Sequence, residues 1–197
     1  MSIPGSANPL LLATAAAAEA GPFQISRSLR FNPRDSPSLT KGFSSAGDRQ
    51  KWTFSFWIKR SGLGTKQQIF GSQGTNDSDY AEMYFDTDDK LFIRFGYLSV
   101  VDAKTDVVFR DTGAWMHIVI ALDTQNSTAN NRLRIYTNNT EIEDYSDDDR
   151  ANFTGTYGIG RGGDHKISGE PNGSGGHLDG YLTEIHYVNG SQLAPTD

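Results

Sequence analysis

Trp52-Thr-Phe-Ser-Phe-Trp-Ile-Lys-Arg60 places Trp52, Phe54, Phe56 and Ile58 at every second position. Side chains two apart in an extended chain point the same way, so these four form one core face of a strand. The opposite face carries Thr53, Ser55, Trp57 and Lys59, and the tryptophan there predicts partial cover on that side too. Trp115-Met-His-Ile-Val-Ile-Ala-Leu-Asp123 is apolar on both faces, which suits a central strand. Arg132-Leu-Arg-Ile-Tyr-Thr-Asn138 alternates Leu133 and Ile135 against Arg132, Arg134 and Tyr136, so one of its sides is wet. A last long strand is expected from His177 to Val188, and shorter ones at residues 28–32, 67–73, 81–86, 91–96, 106–110 and 140–145. Asn138 and Asn139 fall where a hairpin turn is needed. The acidic run Asp147-Asp-Asp149 and the glycine-rich residues 158–176 read as exposed loops. The outcome expected is an all-β, two-sheet antiparallel sandwich of about ten to twelve strands.

A chain of 197 residues suits one such sandwich, and its 11 Phe, 8 Tyr and 3 Trp supply enough apolar bulk for a two-layer core. The formal charge of −6 and the lack of any basic run argue against nucleic acid, because phosphate binding is driven by Lys and Arg displacing counterions. Cysteine is absent, which favours synthesis in a reducing cytosol over export.

Residues 1–22 differ in composition from the rest; residues 1–27 are read as an N-terminal arm and residues 28–197 as the sandwich domain. A secretory signal would place its apolar region at residues 10–18, but Pro4 and Pro9 stand where the positive region belongs. The apolar run is too short to span a bilayer. The preferred reading is a docking arm, extended through Pro4 and Pro9 and helical from Leu10 to Ala20, with a disordered tail as the remaining alternative. Ile3, Pro4, Pro9, Leu10, Leu11 and Leu12 are its contact residues.

The order "FSFWIKR", "W-x-H-I-V" leading to Asp123, "R-L-R-I-Y" and "G-Y-L-T-E-I" resembles the laminin-G-like and pentraxin-like branch of the concanavalin A-like jelly-roll sandwich. It departs from that pattern at Asn138-Asn139-Thr140, where relatives more often carry Asn-Gly. More specifically, Ser2-Ile-Pro-Gly-Ser-Ala-Asn-Pro-Leu-Leu-Leu12, Ser28-Leu-Arg-Phe31, Asp179-Gly-Tyr-Leu-Thr-Glu-Ile185 and Asn189-Gly-Ser-Gln-Leu-Ala-Pro195 resemble structural proteins of tailed-bacteriophage virions, of the tail-fibre-like kind. That resemblance implies a virion protein assembled in host cytoplasm, held to tail, adaptor or capsid neighbours by its arm. It also implies a homo-oligomer, a trimer by preference, and a lectin-like face for host surface glycans. The rival expectation is a capsid decoration or tail-attachment protein with no ligand.

Aromatic rings and planar donors suit sugars, so Tyr80, Tyr97, Tyr157, Arg161 and His165 are the expected glycan contacts. No cofactor is expected except calcium, which laminin-G-like relatives sometimes hold between loops. Asp77, Asp79, Asp164 and Asp179 are its candidate ligands here, against the plainer reading of solvated loop acids. Catalysis is not expected. Glu141-Ile-Glu143-Asp-Tyr-Ser146 only approaches the paired-carboxylate pattern of sandwich glycosidases, lacking its final acid. Gly158-Ile-Gly160-Arg-Gly162-Gly163 matches a dinucleotide fingerprint in form, but no helical pattern follows it. His117 is read as a packed strand residue, not a metal ligand.

Overall fold

Thirteen strands in two antiparallel sheets make up the computed structural model, which describes residues 25–98 and 100–196. In chain order they are β1 Leu29–Phe31, β2 Leu39–Phe43, β3 Lys51–Arg60, β4 Gln67–Ser72, β5 Ala81–Phe85, β6 Lys90–Phe95 and β7 Val101–Val108. Then follow β8 Met116–Asp123, β9 Leu133–Thr137, β10 Thr140–Glu141, β11 Tyr145–Asp148, β12 Gly163–Ile167 and β13 Gly180–Asn189. The six-stranded sheet runs β1-β13-β3-β8-β9-β10, and the seven-stranded sheet runs β11-β7-β6-β5-β4-β12-β2. The fold is the expected two-sheet antiparallel sandwich. The arm residues Ile3, Pro4, Pro9, Leu10, Leu11 and Leu12 lie outside the described residues. Among those described, no helix is long and apolar enough to cross a membrane.

Strand β3 turns Trp52, Phe54, Phe56 and Ile58 inward, as its alternation requires, and all four are buried. It pairs Phe56 with Ile118 and Phe54 with Ile120 of β8, so sheet neighbours continue the same apolar layer. The facing layer comes from Met83 and Phe85 of β5 and Leu91, Ile93 and Phe95 of β6. Phe54 stacks on Phe70 across the interior at 4.4 Å, and Trp52 meets Phe95 edge to face at 6.2 Å. Each such side chain contributes about 1.5–3 kcal/mol by leaving water. The β9–β10 turn is closed by Asn138 and Asn139 with φ of 48° and 69°. Two consecutive left-handed residues define the hairpin turn whose twist matches its strands, and asparagine tolerates that region.

Three expectations are corrected. The strand placed at residues 106–110 begins five positions earlier, as β7, because Asp102, Lys104 and Asp106 face outward and hide small inner residues such as Ala103 and Thr105. Residues 158–176 are not all loop: β12 lies within them, and Ile159, His165 and Ser168 are buried. The acidic run is partly β11, paired to β7.

One buried ion pair ties the layers together. Arg60, at the end of β3, is 0% exposed and donates to Asp89 Oδ1 at 3.0 Å and to the Phe109 carbonyl at 2.6 Å. Asp89 sits in the β5–β6 turn, 2% exposed, and also accepts from Gly64 N at 2.9 Å and Arg110 Nε at 2.9 Å. Burial alone would raise the Asp89 carboxyl, but Gly64, Arg110 and Arg60 together hold it below the usual carboxylate range. A depressed folded value gives stability that is complete above the unfolded value, about pH 3.9, and is lost as pH falls through the folded one. Asp89→Asn should therefore cost about 3–5 kcal/mol at pH 7 by stranding Arg60. Urea denaturation at pH 7 and pH 3 should show the variant less acid-sensitive than the parent, and equal acid losses would contradict this.

Candidate ligand-binding cleft

Strand pairing assembles the outer face of the seven-stranded sheet from residues far apart in sequence. Thr40 pairs with Lys166, Lys166 with Gly71, Gly71 with Glu82, Glu82 with Arg94, and Arg94 with Asp102. Directly opposed residues share a face, so these six form one transverse row. The charges alternate along it. Glu82 is buried and takes Lys66 at 3.0 Å and Arg94 at 4.0 Å, while Arg94 reaches Asp102 at 3.7 Å. Burial, with Asp147 nearby, raises the Asp102 carboxyl. In the next row Tyr84 stacks on Phe92 at 5.0 Å, with Lys66 Nζ 4.3 Å from the Tyr84 ring centre.

Gly71 leaves this row without a side chain, and a cleft of about 480 Å³ opens there. Its walls are Thr40, Gln73, Gly74, Arg161, Asp164, Lys166 and Pro171. Arg161 is fixed by donating to the carbonyls of Gly162, at 2.6 Å, and Gln73. Lys166 Nζ donates to the carbonyls of Glu170 at 3.1 Å and Gly173 at 3.3 Å. The Asp164 carboxylate has no hydrogen bond or ion pair among the described residues, and it faces the opening. Through Gln73 and Gly74 the cleft joins a smaller pocket of about 160 Å³ lined by Asp77, Tyr80, Tyr97 and Leu98. Tyr80 and Tyr97 meet edge to face at 5.6 Å. Tyr97 is 62% exposed, and Asp77 accepts from the backbone N–H groups of Tyr97, at 2.6 Å, and Leu98. Burial, and Glu82 beside it, push the Tyr80 hydroxyl up. The assembly combines a free carboxylate, two immobilised cations and exposed ring surface.

Of the five expected glycan contacts, Tyr80 and Tyr97 come together and Arg161 lines the adjoining cleft. The other two are corrected. Tyr157 is buried and stacks on Phe95 at 4.6 Å, with its hydroxyl accepting from Gly155 N. His165 is buried between Phe43 and Phe70; its Nε2 accepts from Gly160 N at 3.1 Å, which leaves Nδ1 to face the Gly163 carbonyl at 3.2 Å. Gly158 lets the chain beside Tyr157 pack close, since a Cβ there would stand 2.4 Å from the Asp79 carbonyl, and His165 takes an inward position of β12 between the outward Asp164 and Lys166. Thr40, Gln73 and Lys166 were not anticipated, since only the pairing of β2, β12 and β4 brings them together.

The four candidate calcium ligands do not converge either. Asp77 faces two backbone N–H groups, Asp79 is held by Arg49 at 2.8 Å, Asp179 pairs with Arg30 at 3.0 Å, and Asp164 is alone in the cleft. Among the described residues no three His, Asp or Glu side chains are grouped to hold a metal, so this donor set does not fit calcium. Glu141 is clamped by Arg134 Nε at 2.9 Å. Gly163 of the glycine run opens a strand, not a helix.

A family model for the concanavalin A-like lectin/glucanases superfamily matches residues 35–193. Curated protein sequences contain no match. Among solved structures, domains LG4-5 of the mouse laminin alpha1 chain align with a TM-score of 0.61 and 13% identity, covering 92% of this chain and 46% of that one. A heptameric SAP-like pentraxin from Limulus polyphemus aligns with a TM-score of 0.52 and 18% identity over 84% of this chain and 73% of that one. Domain 4 of an extracellular arabinanase from Geobacillus stearothermophilus, solved with arabinotriose, gives 0.52 and 14% over 80% and 84%. Identities this low show a shared fold. The chain spans less than half of the laminin structure.

Burial lowers the His165 pKa from its ordinary 6.5. The unfolded chain then takes up a proton that the native one refuses, so stability falls as pH drops below about 6.5. Carbon-detected NMR of the imidazoles should find His165 still neutral where exposed histidines are half protonated. A His165 ring titrating at its ordinary value would contradict the burial.

Proposed function

Because the chain belongs to the concanavalin A-like lectin/glucanase superfamily, we propose that it is a carbohydrate-binding module of a tailed-phage virion appendage. It takes host surface glycans in the cleft over Gly71 and Gly74. The observation that carries this reading is the unpaired Asp164 carboxylate facing a polar cleft that runs into the Tyr80–Tyr97 pocket. Carboxylates accept paired sugar hydroxyls, and an exposed tyrosine ring packs against the C–H face of a pyranose. Arg161 and Lys166 keep the walls in place because Arg161 Nη1 and Nη2 and Lys166 Nζ are already bound to backbone carbonyls.

The module binds without cleaving. Glu82, the buried carboxylate at the centre of the face, is engaged by Lys66 and Arg94, so it is not poised as half of an acid/base pair. The virion assignment is supported by the phage-type sequence at residues 2–12, 28–31, 179–185 and 189–195. In that setting the chain is a homo-oligomer, with the trimer as the symmetry that presents equivalent clefts around one axis.

A glycan array with the purified chain should return a small set of related sugars. In calorimetry with the best of them, Asp164→Ala should weaken binding about 10- to 100-fold, the loss of a hydrogen bond to a charged group. Tyr97→Ala should weaken it by about tenfold or less. Absence of any array signal, or full affinity in Asp164→Ala, would remove the proposal. Locating the sandwich in a density map of intact virions tests the assignment to an appendage.

A further inference from the structure

The two halves of the outer face of the six-stranded sheet are treated differently. Over one half the chain returns after β13: Thr53 Oγ1 donates to the Ser191 carbonyl at 2.8 Å, Leu193 N donates back to Thr53 Oγ1 at 2.8 Å, and Gln192 Nε2 donates to the Ala121 carbonyl at 3.2 Å. Thr53 and Ala121 are buried as a result. The other half carries half-buried aromatic rings. Trp57 and His117 are paired in register and stack at 5.0 Å, tilted by 22°. One row further, Arg30 pairs with Tyr181 and Tyr181 with Lys59. Met116 is paired with Ile58, so Trp115 falls opposite Lys59 on its other side, and it meets the Tyr181 ring at 6.4 Å.

The charges of this half are unequal. Arg30 lies 5.0 Å from the Tyr181 ring centre but is neutralised by Asp179 at 3.0 Å. Glu184 sits with His186 at 3.5 Å, further along β13. Burial lowers the pKa of His117, whose Nε2 meets Ser55 Oγ at 2.9 Å, so this ring is neutral near pH 7. The Lys59 side chain has no ion pair or hydrogen bond among the described residues. Its ammonium group therefore stands as an uncompensated charge beside an aromatic platform, on a protein whose net charge is −6, and Arg27, whose carbonyl accepts from Thr183 Oγ1 next to Trp57, adds a second cation without an ion pair among the described residues.

We propose that this half of the sheet is a second carbohydrate site, specific for a uronate-bearing sugar chain. The faces of the sugar rings lie on Trp57, Trp115 and Tyr181, and a sugar carboxylate docks on Lys59. Aromatic rings take up the apolar C–H face of a pyranose, and three ammonium donors give charge-assisted hydrogen bonds to a carboxylate. A cation is what an acidic polymer requires here, since the protein as a whole repels it.

Tryptophan fluorescence reads this site directly, because Trp52 is fully buried while Trp57 and Trp115 lie on the platform. The full chain should show a saturable spectral change with oligogalacturonate or oligomannuronate. Trp57→Ala and Lys59→Gln should each weaken binding at least about tenfold, and added salt should weaken it in the parent. Methyl-esterified oligogalacturonate, the same ring without its charge, should bind at least about tenfold more weakly. Lys59→Gln leaves the core untouched, so its loss of binding reports recognition and not folding. Asp164→Ala should leave this binding unchanged, which separates failure of the platform from failure of the cleft. No response to either acidic oligomer, equal affinity for the methyl ester, or full binding by Lys59→Gln would each overturn the proposal. So would sedimentation showing a self-associated parent and a dissociated Trp57→Ala, because a second copy would then cover the face.

Discussion

A single charged contact, Arg60 with Asp89, fixes how the two layers meet. Arg60 ends the central strand of one sheet, and Asp89 occupies the turn between two strands of the other. Neither can reach water, so neither tolerates loss of its partner. The guanidinium also lies 4.3 Å from the Phe85 ring centre and donates to the Phe109 carbonyl, so the charge is enclosed by the apolar core it anchors. A hydrophobic interior admits many small slips of one sheet over the other at modest cost. A buried ion pair with three donors converging on one carboxylate admits very few. Asp89 adopts φ of 64° to reach this position, a backbone conformation that the surrounding contacts hold in place.

The outer faces of the two sheets divide the remaining charge in opposite ways. On the seven-stranded sheet Lys66, Arg94 and Lys104 reach across the rings of Tyr84 and Phe92 and end on carboxylates. That lattice makes a firm surface beside the cleft, whose walls are held by Arg161 and Lys166 through backbone carbonyls. On the six-stranded sheet the segment returning after β13 covers one half with backbone and amide contacts, leaving half-buried rings and the Lys59 ammonium group on the other. The differences follow from where Gly71 and the segment after β13 fall, since both sheets carry the same strand alternation.

Much of the architecture could be read from the residues alone. The segments that became β3, β8, β9 and β13 announce themselves by alternating bulk, and Asn138-Asn139 marks its turn. Other elements carry no such mark. In Leu39-Thr-Lys-Gly-Phe43 every residue is exposed, so this edge strand buries nothing that could be counted. In β12 the inward position is taken by His165, which a pattern of apolar residues does not register. The cleft was even less legible: Thr40, Gly71 and Lys166 are neighbours only through pairing between strands remote in sequence. Tyr157 and His165 were misplaced for a related reason, because a glycine-rich run resembles a surface loop until packing shows that its glycines admit it to the interior.

The glycine at the floor of the cleft limits how recognition can change. A methyl group on Gly71 would stand 2.5 Å from Pro171 Cγ and 2.8 Å from the Ala81 carbonyl, so that position cannot grow without displacing backbone. Any change in the shape or chemistry of the cleft must therefore come from the rim, through Thr40, Gln73, Asp164 and the tyrosine-bearing loop. Relatives would share an invariant base beneath diversified edges.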